Sequence, residues 1–127
     1  MDFEALTKEA QRAIDINNGG IATAVLTNKG NIYVTVCKTF PNCCGKPRYD
    51  SSLIDMIENG EKKITKMVSM HKHGMEPPCA WLRQFIREMD HSNINAEVMA
   101  MGRNAPAIKL LGDFSPNLSD YLGQFNI

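Results

Sequence analysis

Hydrophobic and polar positions along this chain follow two rhythms, one helical and one of strands. Phe3, Leu6, Ala10, Ala13 and Ile14 recur at helical spacing with charged residues between them, which predicts an opening helix. Asn17-Asn18-Gly19-Gly20 ends it, because both residue types tolerate positive φ. Ile21 to Leu26 reads as a buried strand, Asn28-Lys29-Gly30-Asn31 as a turn, and Ile32 to Val36 as a second strand. So short a connection permits only antiparallel neighbours, so the two form a hairpin.

Phe40 to Pro47 reads as loop, given Pro41, Asn42, Gly45 and Pro47. A second helix is expected from Ser51 or Ser52, with Asp55 completing a capping box and Leu53, Ile54 and Ile57 as its apolar stripe. Gly60 stops it, and Ile64 to Met70 follows as a strand. Pro77 and Pro78 open a helix from Cys79 to Met89. Leu82, Phe85, Ile86 and Met89 face one way, and Arg83, Arg87 and Glu88 face water. Ala96 to Met101 and Ala107 to Leu111 are expected strands. Ser115 and Pro116 suit the start of a last helix through Leu122, stopped by Gly123. The order α-β-β-α-β-α-β-β-α calls for one mixed sheet of about five strands with helices on its faces. No internal repeat or long linker interrupts residues 1–127, so a single domain is expected.

Composition narrows the functional classes. Hydrophobic residues make up 43%, enough for a real core, and 14 basic residues balance 14 acidic ones. With no basic run, phosphate neutralisation gives no route to nucleic acid. No apolar stretch has the length of a membrane span, and Met1-Asp2-Phe3-Glu4 lacks the marks of a secretory signal. Cys37, Cys43, Cys44 and Cys79 are therefore expected as thiols in a reducing cytoplasm. The eight methionines read as core filler.

The strongest local pattern is Glu76-Pro77-Pro78-Cys79-Ala80-Trp81-Leu82-Arg83-Gln84. Zinc deaminases place a Pro-Cys-x-x-Cys run at a helix start, where two thiolates one turn apart face one ion. Pro78-Cys79 and Arg83-Gln84 fit that run, but Leu82 stands where the second cysteine would be. The rest of the chain is similar in order and spacing to the small cytidine and blasticidin-S deaminases. The residues that carry the likeness are Ile21 to Thr27 with Gly30-Asn31-Ile32-Tyr33, Ile57 to Lys63, and Gly112 to Leu122. The resemblance covers nearly the whole chain and implies a three-layer α/β/α cytidine deaminase-like fold.

It also implies where chemistry has been lost. The family's second helix opens with a Cys-Ala-Glu or His-Ala-Glu run, whose counterpart here is Pro47-Arg48-Tyr49. Proline has no donor atom, Arg48 is a cation, and Tyr49 stands in for a proton-shuttling glutamate. An activating zinc needs three protein ligands and an open position. A phenol, with an ordinary pKa of about 10, is poorly matched to proton transfer near neutrality. The family's sugar-holding Asn-x-Glu pair corresponds to Cys37 and Thr39. The expected site therefore reduces to Cys37, Thr39, Arg48, Tyr49 and Cys79, with no zinc and no catalytic set.

Several readings stay open from sequence. The Arg48 guanidinium either fills the zinc position beside Cys79 or faces solvent. Cys43-Cys44 with His71, His73 and Cys79 form either a relocated metal site or ordinary loop thiols and surface imidazoles. Phe40, Tyr49 and Trp81 are either a base-stacking platform or core and interface. The resemblance places Trp81 at a subunit contact, in a homotetramer or dimer. Arg83-Gln84 reads as structural, and His91 as complementing a helix C-terminus. Gly19-Gly20 and Gly60 have no phosphate-binding pattern. Two helix N-termini near Ser51 and Cys79 aimed at one cavity would favour a nucleoside-like or anionic ligand. Three functions follow: a non-catalytic deaminase-like protein with a pocket, an active zinc hydrolase of cytosine-type amidines, or a structural or regulatory oligomer subunit.

Overall fold

The computed structural model describes residues 3–17, 19–37, 52–78, 80–101 and 104–114. Helix α1 (Phe3–Asn17) leads into strands β1 (Ile21–Thr27) and β2 (Ile32–Cys37). Then come α2 (Ser52–Glu58), β3 (Ile64–His71), β4 (Gly74–Glu76) and α3 (Ala80–Met89), followed by a 3-10 turn, β5 (Glu97–Met101) and β6 (Pro106–Leu110). The strands form one sheet in the order β2-β1-β3-β5-β6, with β4 hydrogen-bonded to β3 beyond the end of β5. Among the described residues only the β3–β5 pair is parallel, as the intervening α3 crossover requires.

Local chemistry sets the boundaries. Gly19 and Gly20 hold φ of 122° and 89°, and the Gly19 N–H closes α1 on the Ile14 carbonyl at 3.0 Å. Gly30, at φ 88°, lets the β1–β2 hairpin turn within Thr27 to Asn31. The expected final helix from Ser115 lies outside the described residues. Two elements depart from expectation. β4 is a three-residue strand too short to show a period, and Asp90 caps a 3-10 turn over His91–Asn95. His91 follows the end of α3, as expected, and opens this turn.

The sheet is covered on both faces. Ala22, Ala24, Leu26, Val68 and Met70 pack with Phe3, Leu6, Ala10 and Ile14 of α1. Val25, Met67 and Val98 pack with Leu53 and Met56 of α2 and Leu82 and Ile86 of α3. Successive strand residues point to opposite faces, so β1 and β3 can fill both cores at once. Each fully buried large aliphatic side chain here contributes roughly 1.5–3 kcal/mol. On α3, Glu88 faces water as expected, but Arg83 and Arg87 are half-buried. Arg83 donates to the Pro78 carbonyl at 3.2 Å and lies 5.2 Å over the Phe114 ring, joining the helix start to the segment after β6.

Candidate functional site

At one end of the sheet lie the start of β1 and the ends of β2 and β3, with β4 alongside. Their pairing lines up Thr35 with Thr23, Thr23 with Ser69, and Ser69 with Glu76. Thr23 and Ser69 stand two residues from Val25 and Met67, so this cross-strand row lies on the face covered by α2 and α3. Thr35, Thr23 and Ser69 are buried, and the Thr23 and Ser69 hydroxyls meet at 2.6 Å. Three hydroxyl residues thus replace apolar ones where the sheet reaches its end. One step further out, Cys37 pairs with Ile21 in register, and His71 pairs with Gly74.

A cavity of about 410 Å³ opens there, lined by Gly19, Gly20, Ile21, His71, Lys72, His73 and Glu76. Such a volume suits a small ligand. Glu76 is half-buried, and its Oε1 is fully buried with no hydrogen-bond partner among the described residues. Burial pushes the Glu76 carboxyl above its ordinary pKa, and nearby His71 acts against the rise. The His73 backbone N–H donates to His71 Nδ1 at 3.0 Å, and the two rings meet edge to face at 6.1 Å between centroids. With Nδ1 accepting, the neutral His71 ring carries its proton on Nε2 and offers an N–H.

The sequence-predicted residues fare differently. Thr39, Arg48, Tyr49, Cys79, Cys43, Cys44 and Phe40 lie outside the described residues, as do the side chains of Cys37 and Trp81. Leu82 is described: it packs in the core with Val25, Met67 and Ile86, 7% exposed, and is hydrocarbon throughout. Among the described residues no group of three or more His, Cys, Asp or Glu side chains is placed to hold a metal ion, so His71, His73 and Glu76 do not converge on one. No helix among them is long and apolar enough to cross a membrane. Gly19, Gly20, Lys72 and Glu76 were not expected at a site. The available signals were hydroxyl residues interrupting apolar strands at Thr23, Thr35 and Ser69, and an acid directly before Pro77-Pro78.

This architecture matches solved structures. The chain is similar to cytidine deaminase from Burkholderia pseudomallei, with 19% identity, a TM-score of 0.65 and coverage of 92% of this chain and 98% of that one. It is similar to cytidine deaminase from Mycobacterium leprae, with 16% identity, a TM-score of 0.66 and coverage of 92% and 99%. The enzyme from Bacillus anthracis gives 12% identity, a TM-score of 0.64 and coverage of 97% and 93%. The chain has the cytidine deaminase-like fold. Neither a scan of family models nor a search of curated proteins by sequence gives a match. Identity this low carries the cytidine deaminase-like fold and leaves the activity to the residues themselves.

Proposed function

We propose that this chain is a non-catalytic protein on the cytidine deaminase-like fold that keeps a small-molecule pocket at the end of β3. One observation carries the reading: Leu82, where the zinc-binding run needs its second cysteine, is a buried side chain of the core cluster that includes Val25 and Met67. Pro78-Cys79 then supplies one thiol, and Pro47, Arg48 and Tyr49 supply no ligand set of the usual kind. The donors fit zinc poorly, so no hydrolytic step is assigned. The cavity and the Thr35–Thr23–Ser69–Glu76 row support a retained pocket for a nucleoside-like or anionic molecule. Cys37, Thr39, Arg48, Tyr49 and Cys79 remain the ligand-binding residues that the sequence proposes.

Elemental zinc analysis of protein purified without an affinity tag, with absorbance followed during incubation with cytidine, tests this reading. No stoichiometric zinc and no absorbance loss are expected. Stoichiometric zinc with turnover would overturn it in favour of an active deaminase, the activity named for the three solved neighbours. An assembling role has its own support in β6, exposed along its length, where Ile108 and Leu110 show 53% and 40% of their surface beside Met101 at the end of β5 with 57%. Solution mass would show a dimer or tetramer if that face, or Trp81, joins copies. A reducing cytoplasmic setting accords with the four cysteines.

A further inference from the structure

We propose that this chain pairs with a second copy of itself along the outer edge of β6, antiparallel about a two-fold axis at Ile108. The proposal gives the assembling role a strand, a register and a symmetry, and does not draw on the pocket. Leu111 donates its N–H to the Ala96 carbonyl at 2.8 Å, continuing the β5–β6 register by one step. Alternation along an antiparallel ladder then turns the backbone N–H and C=O of Ala107 and Lys109 inward, to Ala100 and Val98. Those of Ile108 and Leu110 point outward, where β6 ends the sheet and no strand among the described residues pairs with it. Pro106 shares this outward parity, so the one residue of β6 without an N–H stands where the ladder asks for none.

The side chains of this edge are exposed like its backbone. Met99 packs with the α1 core and stands opposite Ile108, so Pro106, Ile108 and Leu110 lie on the α1 face of the sheet. With Met101 they make an apolar strip, whereas Ile16 and Ile54, the other exposed large hydrophobics among the described residues, stand singly on α1 and α2. The opposite edge strand, β2, is half-buried along most of its length, so β6 is the open edge. A copy centred on Ile108 sets Ile108 against Ile108 and Pro106 against Leu110, which joins the two strips into one. Ile108 then exchanges both backbone hydrogen bonds with its counterpart, and each Leu110 N–H meets a Pro106 carbonyl. Lys109, the one charge on β6, falls opposite Ala107 and not opposite its own counterpart, and its ammonium lies 5.0 Å over the Phe114 ring. An apolar edge whose own reversal opposes no two charges fits a second copy of itself.

Sedimentation of the full chain over a range of concentrations, with amide hydrogen exchange followed by NMR, tests this. The mass is expected to rise reversibly from one chain toward two, because a strand of 5 residues makes a small interface. Ile108→Lys sets two ammoniums together on the axis and should weaken the pairing about tenfold or more. Ile16→Lys replaces an apolar side chain that is more exposed still, and should leave the pairing unchanged. The Ile108 and Leu110 N–H groups should exchange fast in dilute solution and become protected as the mass rises, while those of Ala107 and Lys109 stay protected throughout. A monomer at every concentration, an assembly that survives Ile108→Lys, or Ile108 protection that ignores concentration would each overturn the proposal. An assembly that survives Ile108→Lys would still leave the chain an oligomer subunit through another face. Zinc content and cytidine turnover bear on the non-catalytic reading alone, so each idea can fail separately.

Discussion

The Tyr33 hydroxyl donates to Glu61 Oε2 at 2.5 Å, tying the first hairpin to the segment that follows α2. Glu61 also accepts from Thr27 Oγ1 at 2.6 Å and from Asn31 Nδ2 at 3.1 and 3.0 Å. This carboxylate is 4% exposed with its lone pairs taken up, so it works as a structural pin at the end of the sheet remote from the cavity. The end that needs rigidity and the end that holds the candidate site are thus separate.

The pin predicts a pH profile. Hydrogen bonds from Thr27, then Tyr33, hold the Glu61 carboxyl below its ordinary 4.5, while the bond to Glu61 raises the Tyr33 phenol above 10.0. A lowered acid contributes stability that is complete above 4.5 and lost as pH falls through the folded value. A raised phenol contributes stability complete below 10.0 and lost as pH rises through its folded value. Tyr33→Phe and Glu61→Gln should each lower the urea midpoint near neutrality. The double variant should lose less than the two singles summed, because they share one bond. Strict additivity would show that the pair is not coupled.

Asn93 predicts the largest polar loss. It is fully buried, accepts from the Ile64 N–H at 2.8 Å, and donates to the Lys62 and Ile86 carbonyls at 2.9 Å each. One amide therefore joins α3, the strand start of β3 and the 3-10 turn. Asn93→Leu would leave three backbone groups without partners inside the protein and should cost roughly 2–4 kcal/mol. Urea unfolding measures this directly, and a change under about 1 kcal/mol would mean that water replaces the amide.

Elements with a long apolar period were legible in the sequence. α1 and α3 came from helical spacing with their glycine and proline boundaries, and the β1–β2 hairpin and β3 from apolar runs bounded by turn residues, since each packs against a core. β4 was not, because three residues carry no period and Gly74 at φ 143° reads as loop. The site was half legible. Leu82 stands where the Pro-Cys-x-x-Cys spacing expects a cysteine and is a core side chain, but Glu76 acquires its place only through register with Ser69. That pairing is a tertiary fact, and strand-to-strand alignment leaves no mark at either residue.

Glu76 predicts the opposite slope to Glu61. Burial raises its pKa above 4.5, so the folded state favours the neutral acid. Its contribution is complete below 4.5 and fades as pH rises through the raised folded value. Glu76→Gln keeps the shape and removes the charge. The variant should match the parent in melting temperature near pH 4 and exceed it by a few degrees at neutral pH. A parent that stays equal or superior across the range would show that the carboxylate finds a partner when ionised.

Leu82 tests whether the missing ligand can be restored by one substitution. Its side chain belongs to the buried cluster that includes Val25, Met67 and Ile86, so Leu82→Cys removes packed carbons from the core. The expected cost is roughly 1–3 kcal/mol, reaching only the lower part of the Leu→Ala range. Zinc should still not be retained, because Cys79 and the introduced thiolate give two ligands where an activating site needs three. Unfolding with and without added zinc gives both answers. If zinc instead raised the stability of Leu82→Cys and stayed bound through gel filtration, a third donor must already face Cys79. The losses at Pro47, Arg48 and Tyr49 would then not have emptied the ligand set.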